Sequence, residues 1–476
     1  MRERGAEGAS SFQPIRSICR IPIPAYSIRL MPRIGSPGTF SPAFSPVSPF
    51  RLAPFIAALF GLCLPGGGAL LAAEAILPDF TDLEAAEHAY WTRALEDPFT
   101  RVISDLETGS LPLDTSNERD FVASFLKQLE IPASSQLLVF STTSLQLSLI
   151  SPRSPRALYF NEDIYLGFVP RGRIEIVSLD PEAGAIFYIF NIPRRPDEPV
   201  RVDRSNRCMN CHADAITRDV PGLVIQSVIP GPRGGSLDAF RGGEAGHHIP
   251  LSERFGGWYV TGRHSIAAHR GNATGRFVGG EIELFPVIPG ETFDFDRYPV
   301  ATSDILAHLI FEHQTGFVNR AVEASYLTRT LLRGAGDQLS PEQGALLDRK
   351  ASELARYILF AGEIPLAGHA IEGDPAFTDA FLTGRRTSQS GDSLKDLDLE
   401  TRLFRNRCSY MIYSRVFQGL PEAMKNRVYS HIHSALSDDS DAEFAYLPRD
   451  EKDTTLRILD DTLPDWRTQR GADPAD

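Results

Sequence analysis

Cys208-Met209-Asn210-Cys211-His212 constrains this chain more than any other stretch. Two thiols three positions apart, followed at once by an imidazole, form the Cys-x-x-Cys-His attachment sequence of a c-type haem. Each thiol can add to one vinyl group of a single macrocycle, and the adjacent histidine is then held under the iron as an axial ligand. A thioredoxin-like redox pair also uses Cys-x-x-Cys, but it expects a βαβ setting and gives the histidine no role. A structural zinc site needs a second ligand pair at matching spacing, and the chain has no second Cys-x-x-Cys. Its five cysteines are Cys19, Cys63, Cys208, Cys211 and Cys408. One covalent haem c is therefore expected, with Cys208 and Cys211 as its attachment points and His212 as the proximal iron ligand.

Attachment of this kind in bacteria takes place outside the cytoplasmic membrane, so an export signal should precede the motif. Residues 1–50 are rich in Pro, Ser and Arg and lack an apolar period. From Arg51 a basic flank leads into the apolar run Leu52 to Leu64, and Ala73-Glu74-Ala75 has the form of a cleavage site. The Pro65-Gly66-Gly67-Gly68 break argues against a stable spanning helix. The expected protein is thus periplasmic or otherwise exported, cut near Ala75, with no membrane span left after cleavage. The whole chain carries −13 and residues 1–75 carry +4, so the remainder carries −17. That balance disfavours nucleic acid and suits basic redox partner proteins.

The body reads as α+β: a β-rich meander bearing the haem, packed against a C-terminal helical region, and not a small class I cytochrome c fold. Residues 78–130 look helical, with Asp82 to Ala86 opening one segment. Strands are expected at Leu137 to Phe140, Ala157 to Phe160, Ile164 to Val169, Arg173 to Leu179 and Ala185 to Ile192. Pro170-Arg171-Gly172 and Pro181-Glu182-Ala183-Gly184 supply turns between them. Further short strands are expected at Leu223 to Ile225, Trp258 to Val260 and Phe277 to Leu284. From Ser303 the period changes: Ile305, Leu309, His313 and Phe317 recur every four residues and predict one apolar helix face. Ser340-Pro341-Glu342-Gln343 is a capping box opening another helix, which buries Leu347, Ala351, Leu354 and Ile358. The expected division is 1–75 extension and signal, 76–300 haem-bearing α/β domain, 301–466 helical region, and 467–476 disordered tail.

Function turns on the far side of the iron. In small carrier cytochromes a downstream Met closes the site. Here Met209 is trapped inside the attachment loop, and the next methionines are Met411 and Met424. Histidines stand closer: His247 and His248 in a Gly-rich loop, His264 and His269 after Trp258, and His313 on the helix from Ser303. His264 and His269 are the distal candidates, with Arg263 and Arg270 beside them suited to propionates through bidentate hydrogen bonds. His313 reads as a hydrogen-bonded core residue. Cys408 reads as a buried apolar one.

The run Ser141 to Gln146, the segment Ile150-Ser151-Pro152-Arg153 to Tyr159-Phe160-Asn161, Val220-Pro221-Gly222, Arg254 to Gly262 and Cys408-Ser409-Tyr410 together resemble a family of exported bacterial monohaem cytochrome c domain proteins. The likeness covers most of residues 130–460. It implies one covalent haem on Cys208, Cys211 and His212, and it implies no particular reaction. Relatives often carry Met where this chain has Arg270, which turns the choice of a shared distal ligand toward His264 or His269. The expected function is electron transfer by a periplasmic monohaem c-type cytochrome. The alternatives are an oxidase- or peroxidase-like haem enzyme with an open distal site, or a haem-based sensor. No His-Glu-x-x-His, Gly-x-Ser-x-Gly, P-loop or dinucleotide fingerprint competes.

Overall fold

A computed structural model describes residues 79–470 apart from 196–197, 242–244 and 336–337. The expected signal segment and its cleavage point near Ala75 lie outside the described residues. The expected meander is there as β1 (Leu137–Val139), β2 (Arg156–Phe160), β3 (Ile164–Phe168), β4 (Arg173–Asp180) and β5 (Gly184–Asn191), all antiparallel neighbours. Two short strands complete a seven-stranded sheet: β6 (Asp203–Arg204) beside β5 and β9 (Trp258–Tyr259) beside β1. Two hairpins stand apart, β7 (Ser227–Pro230) with β8 (Ser236–Arg241) and β10 (Ala273–Val278) with β11 (Glu281–Pro286).

Both faces of the sheet are covered. On one lie α1 (Thr100–Thr108) and α2 (Glu118–Gln128). Phe99 meets Tyr188 at 5.0 Å between ring centroids and Phe125 meets Phe190 at 5.6 Å. On the other lies α4 (Ile305–Ala335), whose Phe311 packs on Phe160 at 5.3 Å and whose Gln314 accepts from the Tyr165 hydroxyl at 3.2 Å. A four-residue helix, α3 (Met209–His212), carries the motif. Behind α4 pack α5 (Pro341–Ile358) and α8 (Glu422–Ser437). The short helices α6 (Pro375–Leu382) and α7 (Arg415–Gln418) precede α8, and α9 (Arg449–Thr462) and α10 (Pro464–Arg470) follow it.

The structure departs from the sequence reading in five places. Asp82 to Ala86 forms turns, because Asp79 and Asp82 carboxylates accept from the backbone of Thr81 and Glu84 at 3.0 and 2.9 Å and so compete with a helical ladder. Leu223 to Ile225 is not a strand: Asn319 of α4 takes both polar groups of Leu223, accepting from N at 2.7 Å and donating to O at 2.9 Å. Phe277 to Leu284 is the turn of a hairpin, since Gly279 and Gly280 both take positive φ, 61° and 91°, as a tight two-residue turn requires. Residues past Trp466 continue as α10 to Arg470, and 471–476 lie outside the described residues.

The fifth departure is α4. It is buried on every side from Ile305 to Thr328, not along one stripe. Such burial suits a helix at the centre of a body, and several of its polar residues have partners. Gln314 donates to the Tyr410 hydroxyl, Arg320 to the carbonyls of Gly316 and Ala245, and Glu323 pairs with Arg218 and Lys350. One hydrophobic cluster runs from Phe99 through Phe311 to Trp466. The boundary expected near residue 300 therefore marks a change of element type within a shared core.

Candidate cofactor site

The motif is delivered by the edge of the sheet. β6 pairs with β5 through Tyr188–Arg204 and Ile189–Asp203, and the Ser205 amide then donates to the Phe187 carbonyl at 2.8 Å. Arg204 anchors this edge by donating to the Tyr90 carbonyl at 2.6 Å and lying over the Tyr90 ring at 4.8 Å. The chain then turns into α3, with Cys211 and His212 amides donating to the Cys208 carbonyl at 3.1 and 3.0 Å. Cys208 and Cys211 thus stand one helical turn apart, on neighbouring positions of one face. Both are free thiols, Cys208 half-buried and Cys211 exposed. Burial holds the Cys208 thiol above its ordinary range, so it is not self-activated for addition.

His212 is fixed from three sides. Its Nδ1 lies 2.9 Å from the Gly222 carbonyl, and its own carbonyl accepts from the Gly222 amide at 2.9 Å. Its ring leans on Phe187 at 4.6 Å. A carbonyl can only accept, so Nδ1 must carry the proton and Nε2 must hold the bare lone pair that a metal needs. An imidazole whose second nitrogen donates to a carbonyl is oriented in the way metal-binding histidines usually are. Burial pushes its pKa down to about 4, so the ring is neutral at ordinary pH. Gly222 is required to be small: a Cβ there would stand 2.4 Å from Asn319 Oδ1. The order of contacts is therefore Asn319, then Leu223 and Gly222, then His212. Two thiols and one neutral imidazole with a bare Nε2 fit a covalently attached haem.

The distal candidates His264 and His269 pack beside the start of α4. His264 and His269 meet each other at 5.1 Å, and His269 reaches Phe255, which in turn packs on His308 in the first turn of α4. The motif segment is held by Asn319, eleven positions further along that helix, or about 16 Å of axial rise. Their tautomer is also the reverse of that of His212. Ile266 and Gly271 amides donate to Nδ1 of His264 and His269 at 3.3 and 3.1 Å. An amide can only donate, so each Nδ1 is bare and each Nε2 carries the proton.

The remaining histidines and cations are occupied in other ways. His313 and His247 share an Nδ1–Nδ1 hydrogen bond of 2.9 Å, and His313 Nε2 lies 2.7 Å from Ser409 Oγ, so His313 is a hydrogen-bonded core residue as its pattern suggested. Arg263 pairs with Glu372 at 3.0 Å on the surface and Arg270 is half-buried. Met411, Met424 and Cys408 are fully buried among the helices. Burial pushes the Cys408 thiol far up, as expected of an inert apolar cysteine.

Gly222 and Asn319 were missed as supports of the site. Val220-Pro221-Gly222 stood out only as part of the family resemblance, and an asparagine inside a long helix gives no signal of its role. Among the described residues no helix is long and apolar enough to cross a membrane. Comparison with protein-family models, with curated proteins and with solved structures finds no match.

Proposed function

We propose that this protein is an exported monohaem c-type cytochrome. Cys208 and Cys211 attach the macrocycle, His212 ligates the iron, and the haem supplies one-electron chemistry. The observation that carries the reading is the hydrogen bond from His212 Nδ1–H to the Gly222 carbonyl, beside two free thiols one helical turn apart. It leaves Nε2 unprotonated and orients the ring without help from the cofactor. The family resemblance of the sequence and the signal-like segment before Ala75 support the same reading, a periplasmic protein with redox proteins as partners.

The chain's own part in the chemistry is to hold and to shield. Phe187 restricts rotation of the imidazole, and Asn319 keeps Gly222 in place through Leu223. The test is expression with a haem-attachment system and an export signal, followed by a denaturing gel stained for haem. The wild-type band should stain, and the Cys208→Ala, Cys211→Ala double variant should not. An unstained wild-type band overturns the reading.

A further inference from the structure

A salt bridge lies on the sheet face nearest His212. The register sets Leu158, Gly167, Glu175 and Ile189 in one row, and Tyr165, Val177 and Phe187 in the next row of the same face. Glu175 is therefore the diagonal neighbour of Phe187, about 7–8 Å away, and the His212 ring rests on Phe187. Arg156 Nη2 meets Glu175 Oε2 at 2.5 Å. To do so it lies across Gly167, where a Cβ would stand 2.5 Å from Nη2 and 2.9 Å from Nε. The other carboxylate oxygen of Glu175 accepts from Ser144 Oγ at 2.9 Å and Gln146 Nε2 at 3.1 Å. Arg156 Nε is buried with no hydrogen-bond partner.

Stability does not account for this pair. Both side chains are less than a fifth exposed, and their neighbours on this face, Leu158, Val177, Phe187 and Ile189, are apolar. Replacing such a pair by apolar residues is often neutral or stabilising, and an orphan guanidinium nitrogen adds a desolvation cost. What the pair does have is position. Glu175 stands diagonal to Phe187, and Phe187 is the ring against which His212 rests.

We infer that Arg156 and Glu175 form an electrostatic pair that sets the reduction potential of the haem carried by Cys208, Cys211 and His212. The inference rests on the haem reading of that site. Both are positioning residues that fix two opposite charges beside the segment that carries His212. Electron uptake removes one positive charge from the iron centre, so a nearby cation favours the reduced form and a nearby anion the oxidised one. The two charges partly cancel, and removing either exposes the other. Ser144 and Gln146 hold the Glu175 carboxylate in place through their two hydrogen bonds to its second oxygen.

The test is potentiometric titration of the purified haem-loaded protein at pH 8, with haem content read from the stained gel. Arg156→Gln should shift the one-electron equilibrium about tenfold toward the oxidised form, a fall of about 59 mV. Glu175→Gln should shift it by a similar factor the other way, and the double variant should return to within about threefold of wild type. If Arg156→Gln does not accumulate, Glu175→Gln alone decides: a rise supports the pair, and no change or a fall overturns it. Haem-loaded variants that melt earlier but keep the wild-type potential, or that shift in the same direction, also overturn the inference. Wild-type protein without covalent haem overturns the haem reading itself, and this inference with it.

Discussion

His212 and the His264–His269 pair are three imidazoles in one chain with opposite hydrogen-bond polarity. At His212 a carbonyl takes the Nδ1 proton and Nε2 is left bare; at His264 and His269 a backbone amide occupies Nδ1 and the proton is driven to Nε2. All three are partly buried and have lowered pKa values, so exposure and basicity do not separate them. The identity of the partner atom does. Spacing along a sequence nominates histidines for a metal, and the second nitrogen's partner decides which are prepared for it.

The largest effect that would break this comparison is loss of haem. His212→Ala should reduce the yield of haem-loaded protein at least tenfold, while His264→Ala and His269→Ala, singly or together, should leave both yield and visible spectrum unchanged. A changed ferric spectrum in the double variant would show that one of them reaches the iron.

The next effect falls on the support. Asn319→Leu leaves both polar groups of Leu223 without partners in a buried place, and should cost about 2–4 kcal/mol in denaturant unfolding. An unchanged midpoint would show that this segment does not depend on α4. Gly222→Ala drives a Cβ against the same side chain and should cost less, about 1–3 kcal/mol. It should also broaden the distribution of His212 orientations, seen as a wider haem absorption band.

The smallest effect separates buried histidines from the ligand. His308 is held down to about 4 and His313 to about 3, chiefly by burial. A lowered folded pKa means the unfolded chain binds the proton first. Their contribution is complete above about pH 6.5 and is lost as the pH falls toward 4. Asp163, Asp304 and Glu363 oppose this, because burial raises them to about 6, 6 and 7 and they gain stability over part of the same range. Apart from the ligand His212, six histidines are lowered, so the melting temperature should fall between pH 6.5 and 4. His308→Gln should make that fall shallower, and a slope equal to that of wild type would count against its neutral burial.

Much of the sheet was legible because its strands alternate between clear Pro/Gly turns. The attachment residues were legible because three side chains within five positions declare one chemistry. What could not be read is what depends on distant chain. Leu223 to Ile225 looks like a strand until Asn319, nearly a hundred positions later, takes its backbone groups. The tautomers of His264 and His269 are set by amides two positions on, in a loop whose geometry no period announces. Arg156 and Glu175 are unremarkable as letters, and only the register and the bare surface of Gly167 bring them together.

The account stands most directly on the intact mass of the exported protein made with a haem-attachment system. Cys208 and Cys211 should be closed to alkylation, and the mass should exceed that of the processed chain by one haem. A mass equal to the bare chain, with both thiols open to alkylation, would contradict it.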